Sequence, residues 1–126
     1  MPRPGGARVI IYREKRGAIT VLRIQGVVKL GESARQFSDY LEKVLLEDEG
    51  PVLLDFEKID TLDSTGLGEL IGYLQRFEEK NRRMAIVRPR DRIVALLKLT
   101  RLDTLIRIFP DDDAAVAYLT GGEAAR

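Results

Sequence analysis

Residues 51–77 read PVLLDFEKIDTLDSTGLGELIGYLQRF, and this stretch predicts a strand, a connection and a helix in succession. Residues 52–56 form a short apolar run directly after a proline, which is typical of a strand buried on both faces. Residues 57–62 are predicted to form a turn. Beyond them, apolar side chains recur with the spacing of one face of an amphipathic helix. These side chains are Leu67, Leu70, Ile71, Leu74 and Phe77.

The residues that open this helix carry the polar chemistry of the stretch. Asp63, Ser64 and Thr65 are all N-cap candidates, because their side-chain oxygens can accept hydrogen bonds from N–H groups of the first turn. Their two hydroxyl groups lie where those N–H groups and the positive end of the helix dipole converge. Gly66 and Gly68 follow, and such small residues allow a tight turn and a close contact between helix and sheet.

The composition is that of one globular domain of ordinary size. The chain has 126 residues, 44% of them hydrophobic, which is enough for a single core. It has 21 Lys and Arg residues and 20 Asp and Glu residues, a net charge of +1. Nucleic-acid-binding surfaces normally have a marked basic excess, so we expect no direct nucleic-acid partner. The charged share of 33% exceeds the roughly 25% of typical domains, which fits an ion-pair-rich thermophilic surface or an ordinary solvated exterior.

The residue types that are absent exclude several classes of protein. The sequence has no Cys and no His. Disulfide frameworks, thiolate metal sites, Ser-His-Asp and Cys-His catalysis and the usual zinc and copper sites are therefore excluded. No apolar run approaches the roughly 20 residues of a membrane span, and the N-terminus has no apolar signal-peptide core. We expect a cytoplasmic protein in which residues 1–7 form a flexible tail.

The rest of the chain predicts strands and helices on either side of this stretch. The preceding part predicts a strand over residues 9–12, a polar hairpin connection over 13–17 and a second strand from residue 19 that Gly26 ends. A loop over residues 26–31 follows. The next element is a helix whose apolar face contains Phe37, Tyr40, Leu41, Val44 and Leu45. After it come a strand over 84–87, a helix from residue 90 or 91, a strand over 106–109, and a helix capped by residues 111–113.

The predicted order is β-β-α-β-α-β-α-β-α. Strands joined through helices run parallel with right-handed crossovers, so the expected fold class is α/β. We expect one domain over residues 8–120, with a mixed, mostly parallel sheet of about five strands and about four helices, followed by a C-terminal tail over 121–126.

Three enzyme or ligand interpretations of the loop are weaker than their structural alternatives. A nucleophilic Ser64 lacks a histidine base and a Gly-x-Ser-x-Gly elbow. The glycines after it miss the dinucleotide fingerprint by one position. A magnesium site on Asp55, Asp60 and Asp63 is disfavoured because Asp55 lies in the predicted strand and the spacing matches no calcium-binding loop. Residues 111–113 are more simply a helix cap.

A regulated docking surface is the fourth interpretation. Phosphorylation of Ser64 would add about −1.5 to −2 charges beside Asp63, at a helix N-terminus that tolerates negative charge. A docked partner would have to desolvate that charge. The residues alone leave two possibilities open, a charge-controlled switch and a serine that simply caps the helix.

The motif Asp63-Ser64-Thr65-Gly66-Leu67-Gly68, preceded by the residues LLDF at 53–56, resembles the signature of STAS domains and, more narrowly, of bacterial anti-sigma factor antagonists. The resemblance extends from about residue 9 to residue 119. Further matching pieces are Gly26, residues 97–102 and the acidic cap before residues 114–116.

This resemblance implies a phosphorylation-controlled protein that is not itself an enzyme and needs no cofactor or metal. Ser64 would be phosphorylated by an anti-sigma factor with serine kinase activity, which supplies the ATP site. The unphosphorylated chain would capture that partner and release the sigma factor, and a serine phosphatase would reset it. The resemblance also implies that the protein is a monomer or weak dimer and does not insert into a membrane. It implies one surface that binds the partner. The partner surface comprises Lys29, Asp60, Asp63, Thr65, Gly66, Leu67 and Gly68.

One position departs from the family pattern. Many antagonists have an acidic residue soon after the glycine at the position of Gly26, where this chain has Lys29 in a slightly longer loop. We expect this loop to lie beside Ser64. The alternative function is a constitutive STAS scaffold, as in stressosomes or beside transporters. An arginine-rich segment over residues 82–92 is either a docking surface or a solvated face.

Overall fold

The computed structural model describes residues 8–121 and contains one five-stranded sheet flanked by four helices. The strands are β1 (Val9–Arg16), β2 (Ile19–Val28), β3 (Val52–Leu62), β4 (Met84–Val87) and β5 (Arg107–Phe109). The helices are α1 (Glu32–Glu47), α2 (Ser64–Glu79), α3 (Asp91–Leu99) and α4 (Asp112–Leu119), with a short 3-10 turn at Leu102–Thr104. The predicted fold class and element order are confirmed. The predicted tails at residues 1–7 and 121–126 lie outside the described residues, except for Gly121.

The sheet has the order β1-β2-β3-β4-β5. The β1–β2 pair is antiparallel, and the other three pairs are parallel. Parallel pairing brings the carboxyl ends of β2, β3 and β4 to the same edge of the sheet, and α2 begins there, directly after β3. This edge therefore positions the sequence motif.

Alternate residues of the central strands contribute to two hydrophobic clusters. Leu54 and Phe56 of β3 belong to the larger cluster, which also contains the buried sides of α1, α2 and α3. Leu53 belongs to the smaller cluster, together with Ala115 and Leu119 of α4. Both faces of β3 are therefore covered, which explains its unbroken apolar run.

The apolar face predicted for α2 is the face that packs. Leu67, Leu70, Leu74 and Phe77 are each at most 4% exposed, and Ile71 is partly buried against the same cluster. The helical spacing of these residues thus anchors α2 to the sheet and fixes where its first turn lies.

The predicted ends of β2 and β3 are wrong. β2 continues past Gly26 to Val28, and β3 continues through the segment predicted as a turn to Leu62. The two strands stay paired across two shifts in register, one between Arg23 and Gln25 and one between Gly26 and Val27, and pairing resumes after each shift. Gly26 has φ = 97°, and a Cβ there would lie 2.4 Å from the carbonyl oxygen of Arg8. It therefore marks an irregular point within the strand, not its end.

The predicted hairpin connection is also wrong. β1 continues to Arg16, and the turn contains only Gly17 and Ala18. Polar residues remain in the strand because they find partners, such as Arg13, which pairs with Glu47 of α1 at 2.8 Å. Within residues 8–121, no helix has the length and apolar character needed to cross a membrane.

Candidate functional site

The candidate site is the first turn of α2 together with the loop that connects β2 to α1. Asp63 is the N-cap of α2, and its Oδ1 accepts hydrogen bonds from the N–H groups of Thr65 and Gly66, both at 3.0 Å. Of the three N-cap candidates in the sequence, Asp63 is thus the one that caps the helix. The negative carboxylate at this end also complements the helix dipole.

Asp63 also joins the two loops. Its second oxygen, Oδ2, accepts a hydrogen bond from the backbone N–H of Leu30 at 2.9 Å. Its own N–H donates to the carbonyl oxygen of Val28 at 3.2 Å. The pKa of the Asp63 carboxyl is lowered, mainly by the N–H of Leu30 and further by those of Gly66 and Thr65. The carboxylate therefore stays charged and holds the two loops as one surface.

The loop from β2 to α1 has an internal hydrogen-bond network of its own. The buried hydroxyl of Ser33 accepts from the N–H of Lys29 at 3.0 Å and donates to the carbonyl oxygen of Lys29 at 3.2 Å. The N–H of Ala34 donates to the same carbonyl oxygen at 3.1 Å. The backbone of Lys29 is thus fixed while its side chain is exposed. The structure places this loop beside the first turn of α2, as the sequence predicts.

Ser64 is the first residue of α2 and is exposed. Within residues 8–121, its hydroxyl has no hydrogen-bond partner, because the capping role belongs to Asp63. The hydroxyl is therefore accessible to a modifying enzyme, and its loss would not remove a helix cap. This geometry disfavours the interpretation that Ser64 simply caps the helix.

Gly66 is the point of closest contact between α2 and the sheet. A Cβ at this position would lie 2.8 Å from a methyl carbon of Leu62 and 2.9 Å from the carbonyl oxygen of Val28. Leu67 is 4% exposed and belongs to the core. By contrast, a Cβ at Gly68 would meet no atom within 4 Å. The prediction of a close helix–sheet contact is therefore right for Gly66 and wrong for Gly68.

Asp60 lies apart from the hydrogen bonds that organise this surface. It is exposed on β3 and pairs with Arg90, whose guanidinium nitrogen is 2.7 Å from its carboxylate. Its backbone carbonyl accepts from Arg92 at 3.1 Å. Asp60 thus connects the end of β3 to the start of α3, and the structure gives it a structural role.

All five arginines of the arginine-rich segment have partners within the chain. Arg82 is 6% exposed and donates to the carbonyl oxygens of Gly50, Leu45 and Val44 at 2.8–3.4 Å. Burial lowers its pKa. The interpretation of the whole segment as a solvated face or a docking face is therefore wrong, because part of it holds the end of α1.

Asp55, considered as a metal ligand, belongs to an ion-pair network. Its Oδ2 lies 3.0 Å from Arg23 and 3.1 Å from Arg88, and both arginines also pair with Asp112 at 3.0 Å. Hydrogen bonds from Arg23 and Arg88 lower the pKa of the Asp112 carboxyl. The network fastens α4 to the sheet. Among the described residues, no group of three or more metal-ligating side chains is placed to hold an ion.

Sequence reasoning did not identify Leu30 or Ser33 as parts of the site. The signal for Ser33 was a short polar side chain near the start of a helix, where hydroxyls commonly bond to nearby backbone. Leu30, which is 74% exposed, offered no signal, because a single exposed leucine is ordinary.

Comparison with known proteins gives the class of this chain. Residues 11–115 match the family model described as the STAS domain. The chain therefore belongs to the STAS domain family, which confirms the resemblance drawn from the motif.

Several of the similar proteins are named as anti-sigma factor antagonists. A Thermotoga neapolitana protein, named as an anti-sigma factor antagonist and TM1081 homolog, is 24% identical over 91 residues, which are 71% of this chain and 80% of that protein. The crystal structure of TM1081 from Thermotoga maritima, also named as an anti-sigma factor antagonist, gives a TM-score of 0.81 at 19% identity, covering 87% of this chain and 94% of that one. The Bacillus protein SpoIIAA in its phosphorylated form gives a TM-score of 0.62 at 16% identity, covering 86% and 99%. At these identities the structural likeness shows the fold.

Proposed function

We propose that this chain is an anti-sigma factor antagonist whose binding is switched off by phosphorylation of Ser64. The observation that carries the proposal is the exposed Ser64 hydroxyl, without a hydrogen bond among the described residues and next to the Asp63 carboxylate. The names of the relatives and the phosphorylated form described for SpoIIAA support the same interpretation. The partner is an anti-sigma factor with serine kinase activity, a serine phosphatase reverses the modification, and all three act in the cytoplasm.

A phosphate on Ser64 changes the docking surface more than the fold. Asp63 already occupies the N–H groups of Thr65 and Gly66, so the phosphate would not find those two donors free. It would add about −1.5 to −2 charges beside an existing carboxylate. The helix N-terminus tolerates negative charge, so α2 stays folded.

A partner docked over this turn has to desolvate the added charge. A docking penalty of about 3 kcal/mol weakens binding roughly a hundredfold. The accessory contacts are the half-buried Thr65 and the exposed Gly68 of α2 and the exposed Lys29 of the adjacent loop. Gly66 and Leu67 set the position of the helix. The catalytic groups for phosphorylation belong to the partner, and this chain needs no cofactor.

The test is capture of the kinase partner from the native cell by immobilised protein. We expect the wild-type chain and Ser64→Ala to capture it, and Ser64→Asp to lose most of the capture. Gln75→Asp is the matched control, because it adds the same charge to an exposed position of α2 about 16 Å along the helix. Equal capture by Ser64→Asp and wild type contradicts the proposal and favours a constitutive scaffold.

A further inference from the structure

We infer that two copies of this chain associate through their β1 strands, which pair antiparallel with Ile11 of one copy opposite Ile11 of the other. This interface, formed by residues 8–14, shares no residue with the Ser64 surface and does not depend on the proposed switch.

β1 presents an unpaired edge of the sheet among the described residues. It has eight residues and pairs only with β2. The carbonyl oxygen of Arg8 accepts from the N–H of Val27 at 2.7 Å. Since hydrogen-bonded positions alternate along an antiparallel ladder, even-numbered residues bond to β2. The backbone groups of Val9, Ile11 and Arg13 therefore point outward, where a further strand can bond to them.

The first half of β1 has apolar side chains on both faces of the sheet. Ile10 is 40% exposed and Tyr12 is 55% exposed on one face of the sheet. On the other face, Val9 and Ile11 line an open groove of about 630 Å³ together with Tyr40 of α1. An added strand would cover apolar side chains on both faces, which a lone edge strand leaves in water.

The charges of β1 favour pairing with β1 of a second copy, and they favour one register of that pairing. With Ile11 opposite Ile11, Arg8 of one copy lies opposite Glu14 of the other, and Ile10 lies opposite Tyr12. Arg23 bonds to Oε2 of Glu14 at 3.0 and 3.1 Å, which leaves Oε1 for this contact. The pattern occurs twice because the interface is two-fold symmetric. The sequence of β1 is thus complementary to itself.

Neighbouring registers lose this complementarity. A shift of two residues in one direction places Arg8 opposite Arg16, and a shift of four places Arg13 opposite itself. Like charges directly opposite each other on paired strands are destabilising. A shift in the other direction shortens the overlap and leaves Arg8 without an acidic partner. Lys15 and Arg16, beyond the favoured overlap, also discourage pairing further along the edge.

The first test is sedimentation velocity of the full chain over a series of concentrations. We expect a concentration-dependent dimer for the wild type. Arg8→Glu should weaken dimerisation about tenfold, because it creates two like-charge pairs per dimer. The double variant Arg8→Glu/Glu14→Arg should dimerise more tightly than Arg8→Glu, because both opposite-charge pairs return. Recovery should stay incomplete, because Glu14→Arg also loses the ion pair with Arg23. Arg16→Glu, which makes the same change in net charge outside the overlap, is the control and should leave dimerisation nearly unchanged.

The second test uses the absence of cysteine from the native sequence. Ile11→Cys places two thiols on the two-fold axis, where Cα atoms about 5.5 Å apart suit a disulfide. We expect oxidation to yield covalent dimer from Ile11→Cys. Lys15→Cys is the control, since its two thiols would lie about 27 Å apart along the strands. Far-UV circular dichroism verifies that each variant is folded.

Three results would overturn the inference. One is a wild-type chain that stays monomeric up to near-millimolar concentration. Another is a dimer that Arg8→Glu and Arg16→Glu weaken equally. The third is cross-linking that is as efficient through Lys15→Cys as through Ile11→Cys.

Discussion

Replacing Asp63 by alanine removes two structural functions at once. The carboxylate caps α2 through two N–H groups and holds the N–H of Leu30. Loss of an aspartate N-cap costs about 1 kcal/mol. Loss of the charged acceptor for the N–H of Leu30 adds about 1 kcal/mol. This cost is small for a charged acceptor because water can accept the hydrogen bond at this exposed loop. We expect Asp63→Ala to lower the free energy of unfolding by about 2 kcal/mol, or the melting temperature by about 8 °C.

Two further variants separate these functions. Asp63→Asn keeps a good cap but offers a donor, not an acceptor, to Leu30, so we expect a cost of about 1 kcal/mol. Asp111→Ala is the matched control, because Asp111 caps α4 through one hydrogen bond of 2.9 Å to the N–H of Ala114. Its loss should cost about 1 kcal/mol, the value of a cap alone.

The effect of Asp63 should depend on pH in one direction. Its folded-state pKa is lowered, mainly by the N–H of Leu30, so its contribution is complete above the unfolded pKa of about 3.9. The contribution is lost as the pH falls through the lower folded-state pKa. The difference in unfolding free energy between wild type and Asp63→Asn should therefore shrink in acid and stay constant from pH 5 to 7.

The assays are urea unfolding and amide hydrogen exchange followed by NMR. Exchange at the amide of Leu30 should accelerate in Asp63→Asn, while exchange in the core of α2 changes little. Equal destabilisation by Asp63→Ala and Asp111→Ala, together with unchanged exchange at Leu30, would refute the conclusion that Asp63 joins the two loops.

Two other variants test how the elements around the site are held. Gly66→Ala should destabilise the fold by about 2 kcal/mol, because its Cβ would meet the backbone of Val28 as well as side chains. Gly68→Ala, whose Cβ meets no atom, should stabilise the fold by about 0.5–1 kcal/mol through its higher helix propensity. Thermal unfolding compares the two variants, and equal effects would contradict the packing described. Arg82→Met should lower the free energy of unfolding in urea by about 3 kcal/mol, because three carbonyl oxygens, at the end of α1 and before β3, lose their hydrogen-bond donor. A loss below about 0.5 kcal/mol, typical of a surface position, would show that these hydrogen bonds do not stabilise the fold.

The order of elements and the packed face of α2 followed from the sequence because hydrophobic periodicity reports burial directly. Residues 52–56 are apolar throughout because helices cover both faces of β3. The same reasoning failed where strands continue through polar residues. Residues 57–62 look like a turn, yet they pair with the end of β2 across two register shifts. Local sequence does not encode such pairing, which depends on the neighbouring strand.

The site was predictable to the extent that it lies in one contiguous motif. The motif indicated that Ser64 begins a helix and that an N-cap lies beside it. It did not decide which residue is the cap, because all three candidates can accept hydrogen bonds. The bond from Leu30 to Asp63 joins residues 33 positions apart, and only the structure shows it. Likewise, the role of Arg82 depends on carbonyl oxygens more than 30 residues earlier in the chain.

The experiment that bears on the whole proposal is intact mass measurement and site mapping of the protein isolated from its native cell, in growing and in stressed states. We expect a single phosphate on Ser64 whose occupancy changes between the two states. The absence of phosphate under every condition, or a phosphate only on another residue, would contradict it.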